Sequence, residues 1–169
     1  MATDKEKLLR MVPFQTAVDG GLQRTYGQIY SSTRNCFNHA DATIRATVQR
    51  ELDHTVQGLM IVHLFAIWEH HVDWDTVNQL LERAERVRLN AFRHIRNSAA
   101  HGVNLARAER YRDDFEATMA SPKPINRVIF EPNAIDLSQS DAGLDCRMEM
   151  VNLMNKMIMQ LGAQAANHR

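Results

Sequence analysis

Apolar residues recur at three- and four-residue steps along most of this chain, a spacing that predicts helices. After Asp41, a residue type suited to capping a helix start, Ile44, Val48, Leu52, Val56 and Leu59 follow that rhythm. The pattern then thickens through Met60, Ile61, Val62, Leu64, Phe65, Ile67 and Trp68, and a helix so nearly all-apolar belongs at the centre of a bundle. His63, inside this run, reads as a hydrogen-bonded core histidine. Beyond a break at 72–75, Val77, Leu80, Leu81, Ala84, Val87, Ala91, Ile95 and Ala99 form one core stripe on a second long helix, which His101-Gly102 closes. A last helix from about Leu144 carries Met148, Val151, Met154, Ile158 and Leu161 on one side. Met148, Met150, Met154, Met157 and Met159 read as core filling.

The remaining segments are shorter. The first 38 residues read as helical but interrupted by Pro13 and by a turn at Asp19-Gly20-Gly21, after which Tyr26, Ile29 and Tyr30 resume the helical spacing. Asn104 can cap a helix running through Phe115 and Met119 to the stop at Ser121-Pro122-Lys123-Pro124. Residues 125–138 form either a small β-hairpin or an extended loop around Pro132-Asn133. The expected fold is therefore all-α, a helical bundle of about five helices, and 169 residues suit a single domain over 1–169.

Composition narrows the setting. The apolar run at 58–68 falls well short of the roughly 20 residues a membrane span needs. Met1 to Arg10 lacks the uninterrupted apolar stretch of a secretory leader. Cys36 and Cys146 are far apart and make no disulfide framework. A cytoplasmic protein without a membrane partner is expected. The formal net charge is zero, but Arg86 to Arg112 holds seven arginines against Glu109 alone, a local excess of six. That stripe is either a phosphate-binding surface or a solvated helix face whose arginines pair with acids from elsewhere.

Candidate chemistry lies in that basic stretch. Three arginines precede a histidine with four to six residues between them: Arg34 before His39, Arg88 before His94, and Arg96 before His101. Only the third combines small intervening residues, Ser98, Ala99 and Ala100, with a His-Gly stop at a helix end. Arginine offers a permanent charge shaped for phosphate, and histidine exchanges protons near neutral pH. Together they suit RNA cleavage, in which the 2′-hydroxyl is the nucleophile and no cofactor or metal is called for. His101 is the proton-transfer residue of this reading, Arg96 the phosphate ligand, and Asn97 the positioning group four residues before His101. Arg93, His94, Ser98 and Arg107 are the flanking RNA-binding candidates. Trp68 reads as core, and Glu69 as a partner for a motif arginine. His70-His71 with Asp73 and Asp75 reads as a surface turn, not a metal site, because adjacent helical residues diverge.

A central helix ending in Trp68-Glu69, a following helix closing on Arg96-Asn97-Ser98-Ala99-Ala100-His101-Gly102, and a terminal amphipathic helix together resemble the HEPN superfamily over about residues 40–162. The resemblance implies a small helical bundle that dimerises and acts as a metal-independent endoribonuclease in toxin-antitoxin or other defence systems, with RNA as substrate and an antitoxin or regulatory protein as partner. It also leaves open a catalytically inactive module that binds nucleotide or a protein. Members regulated by a nucleotidyltransferase often carry tyrosine two residues after the histidine, where this chain has Val103.

Overall fold

A computed structural model describes residues 3–36, 41–101, 109–125, 127–131 and 134–167. The fold is an all-α helical bundle with one small hairpin. In chain order it comprises α1 (Asp4–Met11), α2 (Phe14–Ala17), a π-helical turn (Val18–Leu22), α3 (Gln23–Cys36), α4 (Ala42–His71), α5 (Trp74–Leu80), α6 (Arg83–His101), α7 (Glu109–Met119), strands β1 (Ile129–Glu131) and β2 (Ala134–Asp136), and α8 (Ala142–Asn167). None of the described helices is long and apolar enough to cross a membrane.

Helix starts follow local chemistry. Thr3 and Glu6 form a reciprocal capping box on α1. The Asp41 carboxylate accepts from the Thr43 and Ile44 backbone N–H groups at 2.8 and 3.4 Å, which starts α4 where the sequence places it and holds that carboxyl below its ordinary range. Pro13 separates α1 from α2, but Asp19-Gly20-Gly21 makes no turn. The chain stays helical there, widened to π geometry, and runs on into α3.

Helix α4 is the central element, packed against α3, α6 and α8. Ile61, Leu64, Phe65, Trp68 and Val72 are all buried along one stripe. His63 lies about 200° of helical rotation beyond Ile61, opposite that stripe, and is exposed, with an edge contact to Tyr26 at 6.1 Å. It is therefore not a core histidine. Ile44 and Leu59, near the ends of the expected N-terminal stripe, are exposed as well.

The long helix expected after residue 75 is two helices. Leu81 is extended (φ −97°, ψ 142°) and ends α5. Glu85 reaches back to accept from the Glu82 backbone N–H at 2.8 Å, half of a capping box for α6. Arg86 donates to the Asn78 and Leu81 carbonyls at 3.1 and 2.6 Å, satisfying the end of α5. The phase of the apolar stripe resets at this corner. Leu89, Ala91, Phe92, His94 and Ile95 are buried on α6, while Ala84 and Ala99 remain exposed.

Helix α6 packs on α4 at an unusually close crossing. A Cβ built on Gly58 would lie 2.9 Å from the Ala99 Cβ, so only glycine allows this approach. Leu137 from the chain after β2 closes the same spot, its Cδ1 3.8 Å from that position. The hairpin alternative for 125–138 is the one adopted: β1 and β2 pair antiparallel, Ile129 with Asp136 and Glu131 with Ala134. Ile125, Val128, Ile135 and Leu137 enter the core. The Leu137 N–H donates to His54 Nδ1 at 3.1 Å, so His54 carries its neutral-form proton on Nε2. On α8, Met150, Met154 and Met157 are core, whereas Met148 and Met159 are exposed.

Candidate functional site

The C-terminal half of α6 holds the motif, and its neighbours are α4 and the start of α5. Phe65 and Glu69 are four residues apart on α4 and therefore stand on one side of that helix. Together they seat Arg96: its Nη2 donates to Glu69 Oε1 at 2.9 Å, and its guanidinium lies 5.3 Å from the centre of the Phe65 ring. The Arg96 side chain keeps only 20% of its surface exposed. A charge-assisted bond on one edge and an aromatic ring under the plane fix where the remaining N–H groups sit.

Arg93, one turn earlier, is held by a different aromatic. Its guanidinium lies 4.6 Å from the Trp74 ring centre, and Trp74 is the first residue of α5. The Asp73 carboxylate accepts from the Thr76 N–H at 2.7 Å, capping α5 and fixing Trp74 in that place. Phe65 and Trp74 are the two site residues that the sequence pattern did not single out. Their signal was present, as an aromatic one turn before Glu69 and another directly after a helix-capping aspartate.

Asn97 and Ser98 are half-buried beside Arg96. His101 is the last residue of α6, in line with Asn97 by helical register. The His101 side chain lies outside the described residues, as do Gly102, Val103, Asn104 and the expected RNA contact Arg107.

His94 does not belong to an RNA-binding surface. Its side chain is 1% exposed, within the core. The reason is packing on two sides: α6 lies against both α4 and α7, so its covered arc is wider than a single stripe. Burial penalises the imidazolium and lowers the His94 pKa from 6.5 to about 4, leaving the ring neutral at physiological pH.

Arg86 and Arg88 of the basic stretch are also engaged. Arg86 binds the α5 carbonyls described above. Arg88 pairs with Glu149 of α8 at 3.0 Å and donates to the Lys123 carbonyl. Four of the seven arginines, Arg86, Arg88, Arg93 and Arg96, thus have partners within the fold, and for Arg88 and Arg96 the partner is an acid. Glu69 does pair with a motif arginine, and Trp68 is fully buried.

His71 Nδ1 donates to the Arg10 carbonyl at 2.6 Å and Asp73 is committed to its cap. Among the described residues, no three His, Cys, Asp or Glu side chains are grouped to hold a metal ion. Cys146 is a free thiol, buried, with its pKa pushed up by burial and then by Glu149 and Asp145, so it is a poor nucleophile.

Comparison with models of known protein families, with characterised proteins and with solved structures finds no match to this chain.

Proposed function

We propose that this chain is a metal-independent endoribonuclease of the HEPN type, cleaving RNA by attack of the 2′-hydroxyl on the adjacent phosphate. The observation that carries this reading is the seat of Arg96, whose guanidinium is held by Glu69 on the Phe65 ring on the same helix that ends at His101. In the proposed reaction His101 takes the 2′-proton and returns one to the leaving 5′-oxygen, giving a 2′,3′-cyclic phosphate and a free 5′-hydroxyl. Arg96 balances the charge growing on the phosphate, and Asn97 orients it. A helix C-terminus disfavours a bound anion, which makes the arginine indispensable there.

Five residues of α-helix turn through about 500°, which leaves Arg96 and His101 about 140° apart around the axis. A two-fold dimer resolves this by letting the motif helices of two copies face one cleft, each phosphate drawing on both. The biological setting in this proposal is a cytoplasmic toxin or defence effector, restrained by an antitoxin or regulatory partner.

A second reading has a specific observation in its favour. Arg86, Arg88, Arg93 and Arg96 already have internal partners, which suits a catalytically silent module that binds nucleotide or protein. Incubation with tRNA or messenger RNA in EDTA separates the two. The nuclease leaves cyclic phosphate ends with wild type and at least about a hundredfold fewer with His101→Ala, and it spares DNA, which lacks the 2′-hydroxyl. Intact RNA supports the silent module, and cleavage at the wild-type rate in His101→Ala removes that residue from the mechanism. Full activity in a strictly monomeric preparation rules out the shared cleft.

A further inference from the structure

The first turns of α6 present apolar surface that the described residues leave partly uncovered. Ala84 is exposed and Val87 half-buried, although both belong to the stripe that sequence periodicity assigns to the core. They line a groove of about 710 Å³ together with Ala117 of α7 and Pro122 of the loop that follows it. This is within the range of small-molecule sites, with the volume of about two dozen waters at roughly 30 Å³ each. Its loop wall is fixed before any ligand arrives. Ser121 Oγ donates to the Thr118 carbonyl at 2.7 Å, the Lys123 N–H donates to Ser121 Oγ at 3.3 Å, and Arg88 holds the Lys123 carbonyl.

Charge identifies the occupant. Of the acids lining the groove, Glu149 is paired with Arg88 at 3.0 Å and Glu85 with Lys156 at 2.7 Å. The Arg83 and Lys123 side chains also line it, and neither makes an ion pair among the described residues. An apolar trough bordered by two unanswered cations favours a ligand that is both greasy and negative. A neutral hydrocarbon gains nothing from the two cations, an amphipathic cation is repelled, and inorganic phosphate offers nothing to Ala84, Val87, Ala117 and Pro122.

We propose that this groove is a binding site for a small amphipathic carboxylate, its alkyl or aryl body on the α6–α7 walls and its anionic head answered by Arg83 and Lys123. The site is distinct from the Arg96 region and stands independently of the ribonuclease reading. Titration of the full chain with dodecanoate, below the concentration at which it self-associates, should show saturable 1:1 binding by calorimetry or NMR. Dodecanol and dodecylammonium should bind about tenfold more weakly, the difference expected of two partly solvated charge contacts. Arg83→Glu with Lys123→Glu should weaken dodecanoate by about the same factor and leave dodecanol unchanged. Ala84→Phe should fill the trough and remove binding, with Ala117→Phe filling it from the other wall if the first variant loses helical circular dichroism. The proposal is overturned by the absence of saturable binding, by dodecylammonium binding as tightly as dodecanoate, or by dodecanoate binding that survives a folded groove-filling variant.

Discussion

The two ends of α6 handle positive charge in opposite ways. Toward its C-terminus, Arg93 rests on Trp74 and Arg96 is clamped between Glu69 and Phe65. Toward its N-terminus, Arg83 borders an open apolar groove with Lys123, while the nearby acids are taken by Arg88 and Lys156. Counting arginines along the sequence puts the stronger field over the motif; the folded protein holds Arg93 and Arg96 in fixed seats there and, among the described residues, leaves Arg83 and Lys123 without an ion pair at the far end. A seated arginine is suited to orienting a phosphate, and an unpaired one to attracting an anion in the first place.

The strongest way to break this contrast is by activity. Arg96→Ala and His101→Ala should each reduce RNA cleavage by about 10² to 10⁴-fold, while Arg83→Ala leaves the rate unchanged. A rate that follows Arg83 would move the reaction to the other end of the helix.

Next in size are changes that act on stability. Gly58→Val places methyl groups where Ala99 already sits and should cost about 1–3 kcal/mol in urea unfolding, with Ala99→Gly in the same chain recovering much of it. No recovery would show that α4 and α6 do not meet as described. His94, midway along α6, offers a pH test. Its folded pKa of about 4 lies below the unfolded 6.5, so the unfolded chain binds more protons between those values and stability falls as pH drops through that window. The loss from pH 7 to pH 5 should be on the order of 2 kcal/mol and be missing from His94→Leu.

Glu69→Gln is expected to have the smallest effect on stability, within about 1 kcal/mol, since the ion pair is partly solvated. Removing the carboxylate's charge frees Arg96 for phosphate, and RNA should bind more tightly at low salt. Unchanged binding with a large drop in melting temperature would make the pair purely structural.

How far the sequence could be read depended on how local the deciding interaction was. Asp41 capping α4 and the stop near Ser121 rest on residues a few positions apart, and both were legible; the Glu69 pairing joins α4 to α6 and was legible only as a match of opposite charges. The corner at Leu81-Glu82 was missed because the apolar rhythm passes through it; Glu85 and Arg86, the side chains that make the break, look like ordinary helix surface. His63 was expected in the core and lies on the uncovered side of α4, whereas His94 was expected at the surface and is buried. Periodicity reveals that a helix has an apolar stripe, but not how many neighbours cover it, and α6 is covered from two sides. The groove was hidden for the converse reason, since Ala84 and Val87 carry the pattern of core residues without receiving a partner.

The stacking of Arg93 on Trp74 gives the protein an optical handle. Of its two tryptophans, Trp68 is sealed in the interior, whereas Trp74 has a cation over its ring and part of its surface in water. Any ligand that draws Arg93 away would alter the emission of one indole and leave the other as an internal reference, so occupancy near the motif can be followed in the unlabelled chain.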